Sequence, residues 1–193
     1  MNSLAASLYN LHHWDEAEAL SRRSLEVAER VLGADNESTL RAIDLLGLTI
    51  CRRRRFDEAE KLFRRALEGQ TKVLGPEDWN TISSMEHLGL VLSEQQRFDE
   101  ADGLLRRSLD LAERSRGPDG IFTLSIVRSI GSTLCRRHRF DEAEKLSRRA
   151  REGQTKVLGP EHQDTLTSVN SLGILLTMQH RFEEAEQLLR PLK

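Results

Sequence analysis

The sequence predicts an all-α solenoid of about five helix-turn-helix repeats, ten helices stacked into a curved, open superhelix, and three observations predict it. A turn signature recurs every 42 residues: Trp14-Asp15-Glu16-Ala17, Phe56-Asp57-Glu58-Ala59, Phe98-Asp99-Glu100-Ala101, Phe140-Asp141-Glu142-Ala143 and Phe182-Glu183-Glu184-Ala185. Gly33, Gly75, Gly117 and Gly159 keep the same step, and Thr39, Thr81, Thr123 and Thr165 follow them six residues later. Between these markers the apolar residues fall at helical spacing. A single hairpin cannot bury its apolar face alone, so the units must stack and share one core. The repeats fall at approximately 1–36, 37–78, 79–120, 121–162 and 163–193, as one solenoid domain over 1–193.

Within each repeat a first helix is expected between the glycine marker and the turn signature. In repeat two Leu40, Ile43, Leu46, Gly47 and Ile50 fall at i, i+3, i+6, i+7 and i+10 of that helix. Its end is marked by the run Arg52 to Arg55, whose cations favour the negative end of the helix dipole. The second helix begins at the signature, with Asp57 expected as N-cap and Glu60 as the reciprocal partner of a capping box. Its apolar set is Ala59, Leu62, Phe63, Ala66, Leu67, Val73 and Leu74, while Lys61, Arg64, Arg65 and Glu68 face water. Gly75-Pro76 stops it. The first repeat opens inside its first helix and the fifth stops in a shortened second helix, leaving Leu188, Leu189 and Leu192 uncovered. Solenoid ends need polar caps, so the expectation is a longer parent array or end-to-end pairing with another copy.

Composition agrees with this class. Aromatic residues make up 5% of the chain and there are 12 glycines, which suits helical cores of Leu, Ile, Val and Ala. A formal net charge of −2, from 29 basic and 31 acidic side chains, gives no global field toward nucleic acid or an anionic membrane. No stretch reaches the ~18 apolar residues of a membrane span, and no secretory leader is evident. Cys51 and Cys135 occupy equivalent positions of different repeats, too far apart for a disulfide, and read as free thiols in a reducing, cytoplasmic setting.

Sites of chemistry are weighed and set aside. His13 and His138 lie at turn positions, and no His, Cys and carboxylate set shows metal-ligand spacing, so no metal or other cofactor is expected. The paired carboxylates at 57–58, 99–100 and 141–142 recur with every helix start, as capping does and an active site does not. The chain is not expected to be an enzyme. Arginine pairs beginning at 22, 64, 106 and 148, with the clusters at 52–55 and 136–139, form a ladder that phosphates would suit. Aromatic residues do not interleave with it and glutamates do, so a solvated ion-pair face is the expectation and RNA the distant alternative.

Placed on one ruler, Ile43, Leu46, Gly47, Ile50, Ala59, Phe63 and Ala66 reproduce the spacing of the tetratricopeptide repeat, and the chain resembles that family over nearly its whole length. The 42-residue unit and the Leu-Gly-Pro-Glu loops at 74–77 and 158–161 resemble the kinesin-light-chain variety, and near-identical units resemble the repeat arrays of fungal and bacterial NTPase-type receptors. Residues 51–77 and 135–161 match at 24 of 27 positions, the exceptions being Arg54/His138, Phe63/Ser147 and Leu67/Arg151. Residues 39–50 match 123–134 at only 4 of 12, which predicts that the first helices diversified for different contacts after a duplication. Ser147 and Arg151, at apolar positions, predict a looser fourth repeat.

What the resemblance implies is a right-handed superhelix, a scaffold that binds a protein or peptide in a concave groove lined by the first helices, or else the ligand-sensing segment of a larger receptor. The groove-facing positions it implies are Arg41, Asp44, Leu48, Cys51 and Arg52 in repeat two, and Ser83, Glu86, Leu90, Ser93 and Glu94 in repeat three. Repeat four contributes Ser125, Arg128, Ser132, Cys135 and Arg136, and repeat five Thr167, Asn170, Ile174, Thr177 and Met178. Asparagines that hold a peptide backbone in kinesin-light-chain grooves are matched only by Asn170 and Asn2, with Asp44, Glu86 and Arg128 at the other positions.

Overall fold

In a computed structural model, residues 13–189 are described, and among them the secondary structure is helical throughout. The described helices are α1 (Trp14–Leu32), α2 (Glu37–Arg52), α3 (Phe56–Val73), α4 (Trp79–Glu94), α5 (Phe98–Arg116), α6 (Ile121–Arg136), α7 (Phe140–Leu158), α8 (Gln163–Met178) and α9 (Phe182–Leu189). A tenth, at the first repeat's opening, would lie outside the described residues. The chain divides into two compact units, Met1–Leu104 and Leu105–Lys193.

In the first unit each helix packs on the next from α1 to α4, and α2 also touches α4, so first helices of successive repeats are neighbours. The predicted apolar set builds the core: Leu40, Ile43, Leu46, Ile50, Ala59, Phe63 and Ala66 are buried there with Leu88, Val91 and Leu92. Gly47 is small because α3 lies against it. A Cβ at that position would meet the Phe63 ring at 2.8 Å. One expected core residue is not in the core: Val73, in the last turn of α3, is 46% exposed, and Val31 and Val157 at the equivalent positions are 68% and 49% exposed. The second unit repeats the plan, with α6 on α7, α7 on α8 and α8 on α9, and α6 again beside α8. Leu124, Ile126, Val127, Ile130, Ala143, Ala150, Leu172, Leu175 and Leu176 are buried in it.

The turns explain the 42-residue markers. Gly75, Gly117 and Gly159 have φ of 90°, 79° and 88°, a left-handed conformation that glycine adopts without strain. Each of these glycine carbonyls accepts a hydrogen bond from the threonine six residues on: Thr81 at 2.8 Å, Thr123 at 2.9 Å and Thr165 at 2.8 Å. The other turn, from first to second helix, places Arg54, Gln96, His138 and His180 in the left-handed region at φ 60° to 63°. The side chains there lie on the aromatic residue two positions later: Arg54 at 5.5 Å from the Phe56 ring, His138 at 5.5 Å from Phe140 and His180 at 5.8 Å from Phe182.

That turn also corrects the expected capping. Helix α3 starts at Phe56 with Arg55 as its N-cap and no side-chain cap, so Asp57 and Glu60 form no capping box. Side-chain caps stand instead on the first helices, where Asn36, Asp78 and His162 accept from the amides of Ser38, Asn80 and Asp164. Asp57 accepts instead from Gln95 at 2.9 Å, while its charge still meets the positive end of the α3 dipole.

The glutamates and arginines of the signature join repeats to one another. Glu18, nearly buried, accepts from Arg22, Arg53 and Arg55, and Glu58 closes the ring through Arg22 at 2.5 Å and through Arg55. One repeat later, Glu60 pairs with Arg64 and Arg97, each at 2.7 Å, and Arg97 with Glu100 at 2.7 Å. In the second unit Glu144 pairs with Arg148 at 2.7 Å and Arg181 at 2.6 Å, and Arg181 with Glu184 at 2.6 Å. Burial alone would raise the carboxyls of Glu18, Glu60 and Glu144, but the arginine hydrogen bonds prevail and lower them, Glu60 to about 2. The arginine run therefore does more than complement a helix dipole. Its Arg53 and Arg55 tie one hairpin to the preceding one.

Candidate binding groove

The first helices expose the positions that the repeat register assigns to a groove, with differences between repeats. In the first unit Arg41 and Arg52 are exposed, and Asp44, Leu48, Leu90 and Glu94 are half-buried. Glu86 departs from the expectation: it is 5% exposed, and its charge bears on His87. In the second unit Arg136 and Asn170 are exposed and Arg128 is half-buried, its guanidinium 3.3 Å from the Ser125 hydroxyl. Ile174 is 53% exposed and Met178 40%, apolar side chains that the core does not use.

Asp44 is held rather than free. Its carboxylate accepts from the Ser84 hydroxyl at 2.8 Å, and one of its oxygens lies 3.1 Å from His87 Nδ1, which links α2 to α4. Burial would lower the His87 pKa, but the Asp44 charge and hydrogen bond, with Glu86 adding to them, raise it and favour the imidazolium. The trio is not a nucleophilic relay. Ser84 is fully buried, and its hydroxyl donates to the carboxylate rather than to the imidazole. Sequence reading missed Ser84 and His87. The signal was their offset of 40 and 43 residues from Asp44, the spacing at which neighbouring first helices meet.

In the second unit the same register holds a cavity of about 350 Å³, lined by Gly131, Ser132, Cys135, Ser147, Ile174 and Met178 together with Arg136 and Ser171. Cys135 donates to the Met178 thioether, Sγ to Sδ 3.4 Å. Both cysteines are free, and burial raises their pKa values, overriding the lowering by Arg52 and Arg136. Neighbouring arginines thus do not turn them into reactive thiolates. At the far end of this unit, Leu166 is 53% exposed although its equivalents Leu40, Ile82 and Leu124 are at most 2% exposed. It lines an open pocket together with Val169 and with Leu188 and Leu189 of α9. Leu189 is itself 52% exposed and Leu188 half-buried, while Leu192 lies outside the described residues.

Among the described residues no cluster of three or more His, Cys, Asp or Glu is placed to hold a metal ion. No described helix is long and apolar enough to cross a membrane. The arginine ladder is largely engaged by carboxylates: Arg22, Arg64 and Arg148 lie in the rings above, Arg65 pairs with Glu29 at 2.5 Å and Arg149 with Glu113 at 2.8 Å.

Comparison with known proteins gives the same architecture. A family model for the tetratricopeptide repeat matches residues 1–72, 41–114 and 121–190. Similar solved structures include a kinesin-light-chain-type protein of nearly identical TPR-like repeats from Podosopora anserina, at 20% identity and a TM-score of 0.74 over 97% of this chain and 89% of that one. BtubC (BKLC) from P. vanneervenii gives 20% identity and a TM-score of 0.75 over 96% of this chain and 74% of that one. YrrB, a TPR protein with an unusual peptide-binding site, gives 20% identity and 0.50 over 97% and 80%. No curated protein matches the chain.

Proposed function

The chain belongs to the tetratricopeptide repeat family, a class of protein-interaction modules, and from that membership we propose that it is a cytoplasmic scaffold whose first-helix faces hold a protein or peptide partner. In the first unit that face offers Arg41, Leu48, Arg52, Leu90 and Glu94, whereas the expected Asp44 is engaged by Ser84 and His87 and the expected Glu86 is buried. In the second it offers Arg128, Arg136, Asn170 and Ile174. The observation that carries the reading is the contrast between faces. Residues 51–77, the second helix with its flanks, match 135–161 at 24 of 27 positions, and the second helices engage their carboxylates in ion pairs across the repeat junctions, while residues 39–50 of the first helices match 123–134 at 4 of 12 and Ile174 and Met178 stay exposed. Side chains that serve neither the core nor the repeat junctions, on the face that varies, are what a recognition surface requires. YrrB supports the choice of a peptide-sized ligand, since it is a repeat protein with a peptide-binding site.

The test is affinity capture with the full chain beside a variant carrying Arg52→Glu, Arg128→Glu and Arg136→Glu, and a control carrying Lys61→Glu and Lys145→Glu on the exposed second-helix surface. Partners retained by the parent and the control and lost by the triple variant are the expected result. Equal retention by all three chains refutes the groove assignment. The near-identity of the duplicated units keeps a ligand-sensing segment of a larger NTPase-type receptor as the alternative. A phosphate-binding loop encoded upstream in the same gene would favour it.

A further inference from the structure

The two nearly identical second helices differ at a position that changes the first-helix face. In repeat two Phe63 is fully buried over Gly47, and its ring centroid lies 5.3 Å from that of His87 on α4. The equivalent residues two repeats later are Ser147, Gly131 and Ser171. Two rings are replaced by two hydroxymethyl groups, and the cavity of about 350 Å³ in the second unit is bounded by both serines. Two of its lining residues, Ile174 and Met178, are half-exposed.

The walls indicate what fits. Cys135 and Met178 place two polarizable sulfurs 3.4 Å apart at one side, and sulfur contacts favour the edge of an aromatic ring. Arg136 is the charged residue among those that line the cavity, and its cation opposes a cationic side chain and suits the electron-rich face of a ring. The filling is displayed elsewhere in the chain, because Phe63 occupies the corresponding space in repeat two. We propose that this cavity is a subsite that seats one aromatic side chain of a bound protein segment. The proposal rests on the first-helix faces being the binding surface, and it names the residue type that the second unit recognises.

The methionines are Met1, Met85 and Met178, so methyl-labelled methionine in the full chain reports on the cavity directly. With N-acetyl-phenylalaninamide as probe, the Met178 methyl resonance is expected to move saturably while Met85 stays fixed. N-acetyl-alaninamide should bind about tenfold or more weakly. Ser147→Phe, which copies repeat two, should abolish the Met178 response, and Ser147→Leu, which copies Leu105 of repeat three, gives a second blocking variant should the first not fold. A silent Met178, an equal response to the alanine probe, or a response that survives both substitutions overturns the subsite. A silent Met178 alongside partner loss in the arginine variant overturns the subsite alone. A responsive Met178 with no partner loss overturns the groove reading on which the subsite rests.

Discussion

Replacing Glu60 by glutamine removes one charge from a repeat junction while keeping the shape of the side chain. Glu60 is 14% exposed and accepts from Arg64 at 2.7 Å, Gln95 at 2.9 Å and Arg97 at 2.7 Å. Burial on its own would raise its carboxyl, and the three donors instead lower it from 4.5 to about 2. A difference of that size between folded and unfolded chain corresponds to roughly 3 kcal/mol by linkage. Arg64 and Arg97 are 51% and 38% exposed, so solvent screening reduces the expected contribution to ~1–2 kcal/mol. A carboxyl whose folded value is depressed stabilises above its unfolded value. That stability is lost as pH falls from 4.5 through about 2. Urea denaturation followed by circular dichroism at about pH 7, 4 and 3 is the assay, with the midpoint of Glu60→Gln expected below the parent at neutral pH and the gap narrowing in acid. An unchanged midpoint at neutral pH, or a gap of constant size in acid, would refute the claim that this ion pair holds the junction.

Two further outcomes follow from the same geometry. His87 has its folded pKa raised, so the stability it contributes is full below about 6.5 and is lost as pH rises through the folded value. The charged groups that bear on it are Asp44 of α2 and Glu86 of α4, and His87→Gln or Asp44→Asn should flatten the decline above neutrality and cost on the order of 1 kcal/mol near pH 6, read from thermal midpoints across pH. Restoring the repeat-two residues with Ser147→Phe and Arg151→Leu should raise the melting temperature, since Ser147 lines a cavity and the Arg151 Nε is buried without a protein partner. A gain of ~1–3 kcal/mol is expected, a few degrees for a chain of this size, and no rise would count against the repeat register.

Exposure along the first helices was legible in part. The resemblance to the tetratricopeptide repeat assigned Arg41, Arg52, Arg136, Asn170 and Ile174 to a groove, and the structure leaves these five side chains exposed. The same resemblance put Asp44 and Glu86 in the groove as contact residues, whereas Asp44 is engaged by Ser84 and His87 and Glu86 is 5% exposed. Nothing in a helical period tells an engaged carboxylate from one that awaits a ligand, because the engaging partner sits 40 to 43 residues away on another helix. The capping expectation failed for a related reason. A left-handed residue at Arg54 starts α3 one residue ahead of Asp57, and Asp57 then reaches Gln95, 38 residues on.

The sequence by itself determined the helical hairpins, their 42-residue step, the buried faces at Leu40, Ile43, Leu46 and Phe63, and the glycine-threonine turns. Those features depend on backbone periodicity, burial and conformational preference, which act within one repeat and repeat with it. Tertiary structure alone decided which glutamate meets which arginine, that Asp44 and His87 are partners, and that the exchange of Phe63 and His87 for Ser147 and Ser171 opens a cavity instead of collapsing. These depend on the distance and rotation at which one hairpin lies on the next. That stacking is set by the packing of whole side-chain layers, and no local pattern encodes it.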